Sequence, residues 1–141
     1  MRRAFLLWAA VTFVCASLLG WLFLRPEPAR PVNIGVLLFT DTNLTTLEGF
    51  RQGLEELGLR EGDNVQYVFP GPARTQQELE GQATALVARR PDLLFASPTP
   101  AALAAKSATA EAGAAIPIVF APVNDPVASG VVNDPLRPEA N

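Results

Sequence analysis

Three short segments concentrate the side chains that could hold a polar molecule: Thr40-Asp41-Thr42-Asn43, Ser97-Pro98-Thr99-Pro100 and Pro122-Val123-Asn124-Asp125-Pro126. Thr40, Asp41, Ser97, Thr99, Asn124 and Asp125 are the candidate ligand-binding residues among them. Their chemistry is that of hydroxyls, amides and carboxylates. Thr99-Pro100 and Asp125-Pro126 each read as a cap followed by proline, a strong helix-start signal. The N–H groups of the first turn behind Thr99, from Ala101 to Leu103, suit an anion such as a carboxylate. Asp41 or Asp125 balances an ammonium. An anion hole beside a carboxylate suits a small zwitterion.

Several of these residues have a plainer use. Thr99, Asp125 and one of Thr42, Asn43 or Thr45 are wanted as helix N-caps whatever the domain binds, and Asp125 above all, because Asp-Pro is so good a helix start. Asp41 reads equally well as a solvated loop carboxylate. Ser97 and Thr40 have weaker structural reasons to be there, which makes them the better ligand candidates. Arg89-Arg90 closes a predicted helix, where cations are favoured by the dipole, and reads as structural.

The absent residue types exclude whole classes of function. The chain has 141 residues, no histidine and one cysteine. It therefore has no Ser-His-Asp triad, no imidazole base, no His-ligated zinc, no internal disulfide and no four-cysteine metal site. Lys106 is the only lysine, and no Walker-type glycine run precedes it. Acid/base work would fall to carboxylates alone, so the expectation is a protein that is not an enzyme and carries no cofactor or metal. From Val32 onward seven basic residues face thirteen acidic ones, a net charge of −6 that repels phosphate backbones. Nucleic acid is not an expected partner.

The elements that must position the three segments are legible in the apolar pattern. Val32 to Phe39 is a nearly continuous branched apolar run, as in a strand buried on both faces. Residues 45 to 58 place Leu47, Phe50, Leu54 and Leu57 on one helical stripe, with Thr45-Thr46-Leu47-Glu48 at capping-box spacing and Gly58 as the stop. Asn64 to Phe69 is a second strand. Thr75-Gln76-Gln77-Glu78 is another capping box, with Leu79, Ala83, Leu86 and Val87 as the stripe behind it. Asp92 to Ala96 is a third strand, residues 100 to 112 an alanine-rich helix closed by Gly113, and Ile116 to Ala121 a fourth strand. Asp125-Pro126 opens a further predicted helix. Strands alternating with helices imply an α/β doubly wound parallel sheet. The common strand order 2-1-3-4 opens a crevice at the C-terminal ends of strands one and three, where the three polar segments fall.

The N-terminus is a different material. Residues 4 to 24 form an apolar run between Arg2-Arg3 and Arg25, with Trp8 and Trp21 near its ends. As a helix it would be roughly 31 Å long, enough to cross a bilayer. The two arginines favour a cytoplasmic N-terminus and an exported remainder. The length of the run and the lack of a clean small-x-small site favour a retained transmembrane anchor over a cleaved signal peptide. Cys15 follows Val14 where a lipoprotein cysteine wants a small residue before it. Residues 25 to 31 contain three prolines and read as a stiff spacer. The expected organisation is thus an anchor at 1–24, a spacer at 25–31 and a domain at 32–141 outside the cell membrane, periplasmic or on the cell surface.

Thr99-Pro-Ala-Ala-Leu-Ala-Ala-Lys106, Ile116-Pro-Ile-Val-Phe-Ala121 and Asp125-Pro-Val-Ala-Ser-Gly-Val-Val132 resemble the ABC-transporter substrate-binding proteins of the tryptophan/tyrosine type. Gly49-Phe-Arg-Gln-Gly-Leu-Glu-Glu-Leu-Gly58, Glu61-Gly-Asp-Asn-Val65 and the Arg137 to Asn141 tail extend the match. The resemblance implies the N-terminal lobe of a periplasmic-binding-protein type 1 fold, with the second lobe outside this sequence. It implies capture of a small solute, an amino acid and often an aromatic one, for delivery to an ABC permease. It also implies that the ligand faces the loops after strands one, three and four. The membrane-anchored ligand-sensing domain of a receptor is the alternative. A phosphorelay receiver is excluded because strand three runs into Ala96-Ser97 rather than an aspartate.

Overall fold

The computed structural model describes residues 30–134. The apolar run at 4–24, most of the proline spacer and the Arg137 to Asn141 tail lie outside the described residues. Among the described residues no helix is long and apolar enough to cross a membrane.

Seven elements follow in order: β1 (Val32–Leu38), α1 (Leu44–Glu56) entered through a 3-10 turn at Asp41–Asn43, β2 (Val65–Val68), α2 (Gln76–Ala88), β3 (Leu93–Ser97), α3 (Thr99–Glu111) and β4 (Ile118–Phe120). The strands form one parallel sheet in the order β2-β1-β3-β4. This is the expected α/β arrangement, and the order, which the sequence does not itself determine, is the common one.

The alternation of side chains along β1 explains why both faces need cover. Ile34, Val36 and Leu38 join Val65, Phe95 and Leu47 of α1 in one buried cluster. Leu37 turns the other way, into a cluster with Leu94, Ala96 and the stripes of α2 and α3. On the α1 face, Phe50 stacks on Phe95 with ring centroids 4.2 Å apart, a contact worth about 1 kcal/mol beyond its area. On the other face the core side of α3 is mostly alanine, with Ala101, Ala102, Ala104, Ala105 and Ala108 all buried. Such small side chains let α3 lie close to both the sheet and α2. Gly35 serves the same close packing, since a Cβ there would sit 2.7 Å from Leu94 Cδ2.

Local signals hold in most places. Leu79, Ala83, Leu86 and Val87 form the buried stripe of α2. Thr75 Oγ1 accepts from the Glu78 N–H at 3.1 Å. The reciprocal Glu78 carboxylate reaches the Arg74 N–H, one residue short of the capping-box partner. Gly58 at φ +82 and Gly113 at φ +58 end α1 and α3.

Three local expectations need correction. Helix α1 starts at Leu44, not after a Thr45 cap, because the 3-10 turn before it already winds the chain into helical form. Leu57 is 79% exposed, since α1 stops at Glu56 and Leu59 packs against the α1 cluster instead. Asp125-Pro126 starts one turn and no helix: Ser129 N–H bonds Asp125 O at 3.0 Å, then Gly130 at φ +77 turns the chain away.

Candidate functional site

Parallel pairing sets the site. The registers Leu38↔Ser97 and Ala96↔Phe120 bring the C-terminal ends of β1, β3 and β4 to one edge of the sheet, and each strand there runs into one of the polar segments. Thr40, Asp41, Ser97 and Thr99 lie at or directly after the ends of β1 and β3, while Asn124 and Asp125 come four and five residues past the end of β4, and each is in a different state.

Thr40 follows β1 by two residues and adopts φ 75, ψ 154. Side chains rarely enter this region, which glycine dominates, and such a residue costs on the order of 1–3 kcal/mol. It is held there by its N–H to Ala73 O at 3.0 Å and by Oγ1 to Thr42 Oγ1 at 2.8 Å. Asn43 donates through Nδ2 to Phe39 O and at 3.4 Å to Thr40 Oγ1. The loop is a self-bonded turn that leaves Asp41 exposed.

Ser97 ends β3 on the same sheet face as Phe95, the face that α1 covers. Its side chain is fully buried and Oγ has no hydrogen-bond partner. A buried hydroxyl in that state is costly, and its persistence needs a reason. Thr99 is half-buried and is the first residue of α3. Its hydroxyl makes no capping bond, so the cap reading of Thr99 is corrected. The anion hole expected from Ala101 to Leu103 is also corrected. Ala101 N–H and Ala102 N–H both bond Pro98 O, at 3.0 and 3.1 Å, because the tight turn at Pro98 folds its carbonyl over the helix start. Pro100 has no N–H, so the first-turn donor left without an intrahelical partner is the N–H of Thr99.

Asp125 takes the structural role. Its Oδ1 accepts from Val127 N–H at 3.2 Å and Ala128 N–H at 2.9 Å, which uses one carboxylate oxygen as a cap. Asn124 beside it is exposed.

Two contributors were missed by sequence reasoning. The loop after β2 reaches the same edge, where Ala73 bridges Phe39 and places exposed Arg74 next to the Thr40 turn. The Gly71-Pro72 pair was the available signal for that turn. Lys106 Nζ donates to Gly130 O at 2.8 Å and Val131 O at 3.2 Å, tying the loop after β4 to α3. Nothing in its sequence context announced this.

A groove of about 590 Å³ lies elsewhere, between α2 and α3, with Gln76, Glu80, Thr84, Ser107 and Glu111 on its walls. It shares no residue with the three polar loops, and Glu80 is already bonded by Gln76 at 2.8 Å.

Comparison with known proteins agrees with the fold and the motifs. Residues 31–141 match the model of the ABC transporter substrate binding protein family. A tyrosine-binding protein of Clostridioides difficile (strain R20291) is 34% identical over 94 residues, 67% of this chain and 26% of that protein. The structure of an ABC domain in complex with L-Trp from Streptococcus pneumonia superposes with a TM-score of 0.70 at 30% identity, covering 79% of this chain and 37% of that one. The ligand-free, open structure of a substrate binding protein with adhesive properties from Clostridium difficile gives 0.63 at 31% identity, covering 75% and 35%. The chain therefore spans between about a quarter and two fifths of the length of these relatives. With the matched segment covering the whole sheet and all three polar loops, the chain belongs to the ABC transporter substrate binding protein family.

Proposed function

We propose that this chain is the N-terminal lobe of an extracytoplasmic solute-binding protein that serves an ABC importer, and that its solute is an amino acid, aromatic in the first instance. The observation that carries the reading is the buried, unpartnered Ser97 Oγ at the sheet edge, with the strained Thr40 and the first residue of α3, Thr99, following the ends of the two central strands. The relatives add the solute class, since one is a tyrosine-binding protein and another holds L-Trp.

In this reading a carboxylate accepts from the Thr99 N–H and from the Ser97 and Thr99 hydroxyls. Asp41 and the second oxygen of Asp125 accept from the ammonium group. Most of the solute's surface must be covered from the remaining length of the relatives, because an edge of one sheet leaves the other side of a ligand in water. Residues 4–24 anchor the lobe in the cell membrane with the domain outside, and an ABC permease is the partner that receives the solute.

The test is equilibrium binding of L-tryptophan and L-tyrosine with Ser97 and Thr99 replaced together by alanine. Binding is lost while the far-ultraviolet circular dichroism stays that of the unaltered chain. Unchanged affinity contradicts the site. Membrane fractionation with protease added from outside tests the anchor: the chain sediments with membranes and is digested at the domain. Recovery in the cytosol contradicts it.

A further inference from the structure

Lys106 is the one lysine of the chain, and its half-buried ammonium donates to two backbone carbonyls, one of the two bonds lying at the solvent-exposed surface. Those carbonyls, Gly130 O and Val131 O, belong to the loop that leaves β4 at the candidate site, passes through Asn124 and Asp125 and returns to α3. The loop holds its own shape. Ser129, Gly130 and Val132 donate their N–H groups to Asp125, Val127 and Pro126, and Asp125 Oδ1 caps two further amides. Those bonds do not fix where the loop sits relative to α3. Val131, buried in the α2/α3 cluster, supplies an apolar and non-directional attachment. Lys106 supplies a directional one, from the helix whose first residue is Thr99.

We propose that Lys106 is a positioning residue for the solute site: it latches the 122–132 loop to α3 and so holds Asn124 and Asp125 in register with Thr99. The proposal rests on the solute-binding reading above. Lys106 stands seven residues along α3 from Thr99, roughly 10 Å at about 1.5 Å per residue, so it acts through the loop and does not touch solute. A cation is suited to the task because an ionic donor holds a carbonyl more strongly than a neutral one.

The test uses the full chain in detergent micelles with Lys106→Met and Lys106→Arg, read by amide hydrogen exchange and by titration with L-tryptophan. In Lys106→Met the Ser129, Gly130 and Val132 amides exchange roughly tenfold faster while those of β1 and β3 keep their protection. L-Tryptophan affinity falls about tenfold, equivalent to about 1.4 kcal/mol. Lys106→Arg restores both, since a guanidinium also donates to two carbonyls. Unchanged exchange in the loop overturns the latch. Faster exchange with unchanged affinity overturns the positioning role, as does a failure of arginine to restore affinity once it has restored protection. If the unaltered chain binds no L-tryptophan, the exchange rates still decide the latch, and the affinity comparison is made on the protein that carries the remaining length of its relatives, where absence of binding overturns the solute reading and the positioning role together.

Discussion

Replacing Ser97 with alanine should make the protein more stable and worse at binding. Ser97 Oγ is fully buried without a partner, a state that costs about 1–3 kcal/mol relative to a satisfied or absent hydroxyl. Deleting one oxygen leaves a void on the order of 10 Å³, and at ~24 cal/mol per Å³ that costs roughly 0.2 kcal/mol. The unsatisfied hydroxyl wins, and the net gain is about 1 kcal/mol or more. For a domain near 100 residues that is a rise of about 4 °C in Tm. Urea denaturation of the intact chain followed by circular dichroism reads the same gain as a shift in midpoint at unchanged slope. Ser107→Ala, at an exposed position of α3, is the control and moves the midpoint little. A loss of 1 kcal/mol or more in Ser97→Ala would refute the reasoning, because it would mean that the hydroxyl already has a partner and is not held in reserve for a solute.

Thr40→Gly should also stabilise the chain. It releases about 1–3 kcal/mol of backbone strain against roughly 0.5–1 kcal/mol of added chain entropy and two exposed bonds to Thr40 Oγ1. Thr40→Ala, which loses the same bonds and keeps the strain, is the reference, and a urea midpoint no higher than that of Thr40→Ala contradicts the strain. Thr75→Ala removes the one side-chain cap of α2 and costs about 1 kcal/mol, and an unchanged midpoint would show the cap to be idle. Tyr67 sets an alkaline limit. Burial raises its phenol above the ordinary value of 10.0, with Arg51 at 4.6 Å from the ring opposing and Glu61 and Glu55 adding to the rise. A raised acid is better protonated when folded, so its contribution is complete below pH 10 and is lost as pH climbs through the raised value. Tyr67→Phe should flatten that alkaline fall, and an identical fall in the variant assigns it to other groups.

The centre of the sheet was legible because β1 and β3 are buried on both sides and read as nearly continuous apolar runs, Val32 to Phe39 and Asp92 to Ala96, whereas the edge strands β2 and β4 are only partly buried. Helix α2 was legible because its stripe and its cap agree. The errors fall where two local signals competed. Thr45-Thr46-Leu47-Glu48 has cap spacing, yet Asn43 bonding back to Phe39 O starts the winding earlier. Asp125-Pro126 is a sound helix start with no helix behind it, because nothing between Val127 and Gly130 offers an apolar stripe to bury. The candidate residues were found from side-chain type and strand order. Their states were not: that Ser97 is buried and unbonded, that Thr40 is strained and that Pro98 closes the Ala101 and Ala102 amides are all consequences of tertiary placement. The contribution of Ala73 and Arg74 needed the pairing of β2's exit with Phe39, which no spacing in the sequence encodes.

The most direct test of the central claim is an L-tryptophan titration of the isotope-labelled chain, followed amide by amide in solution. The expected shifts concentrate at Thr40 to Asn43, Ser97 to Thr99 and Asn124 to Asp125, with Thr99 N–H among the largest. Shifts gathered instead along the α2–α3 groove, at Gln76, Glu80 and Ser107, would contradict the claim.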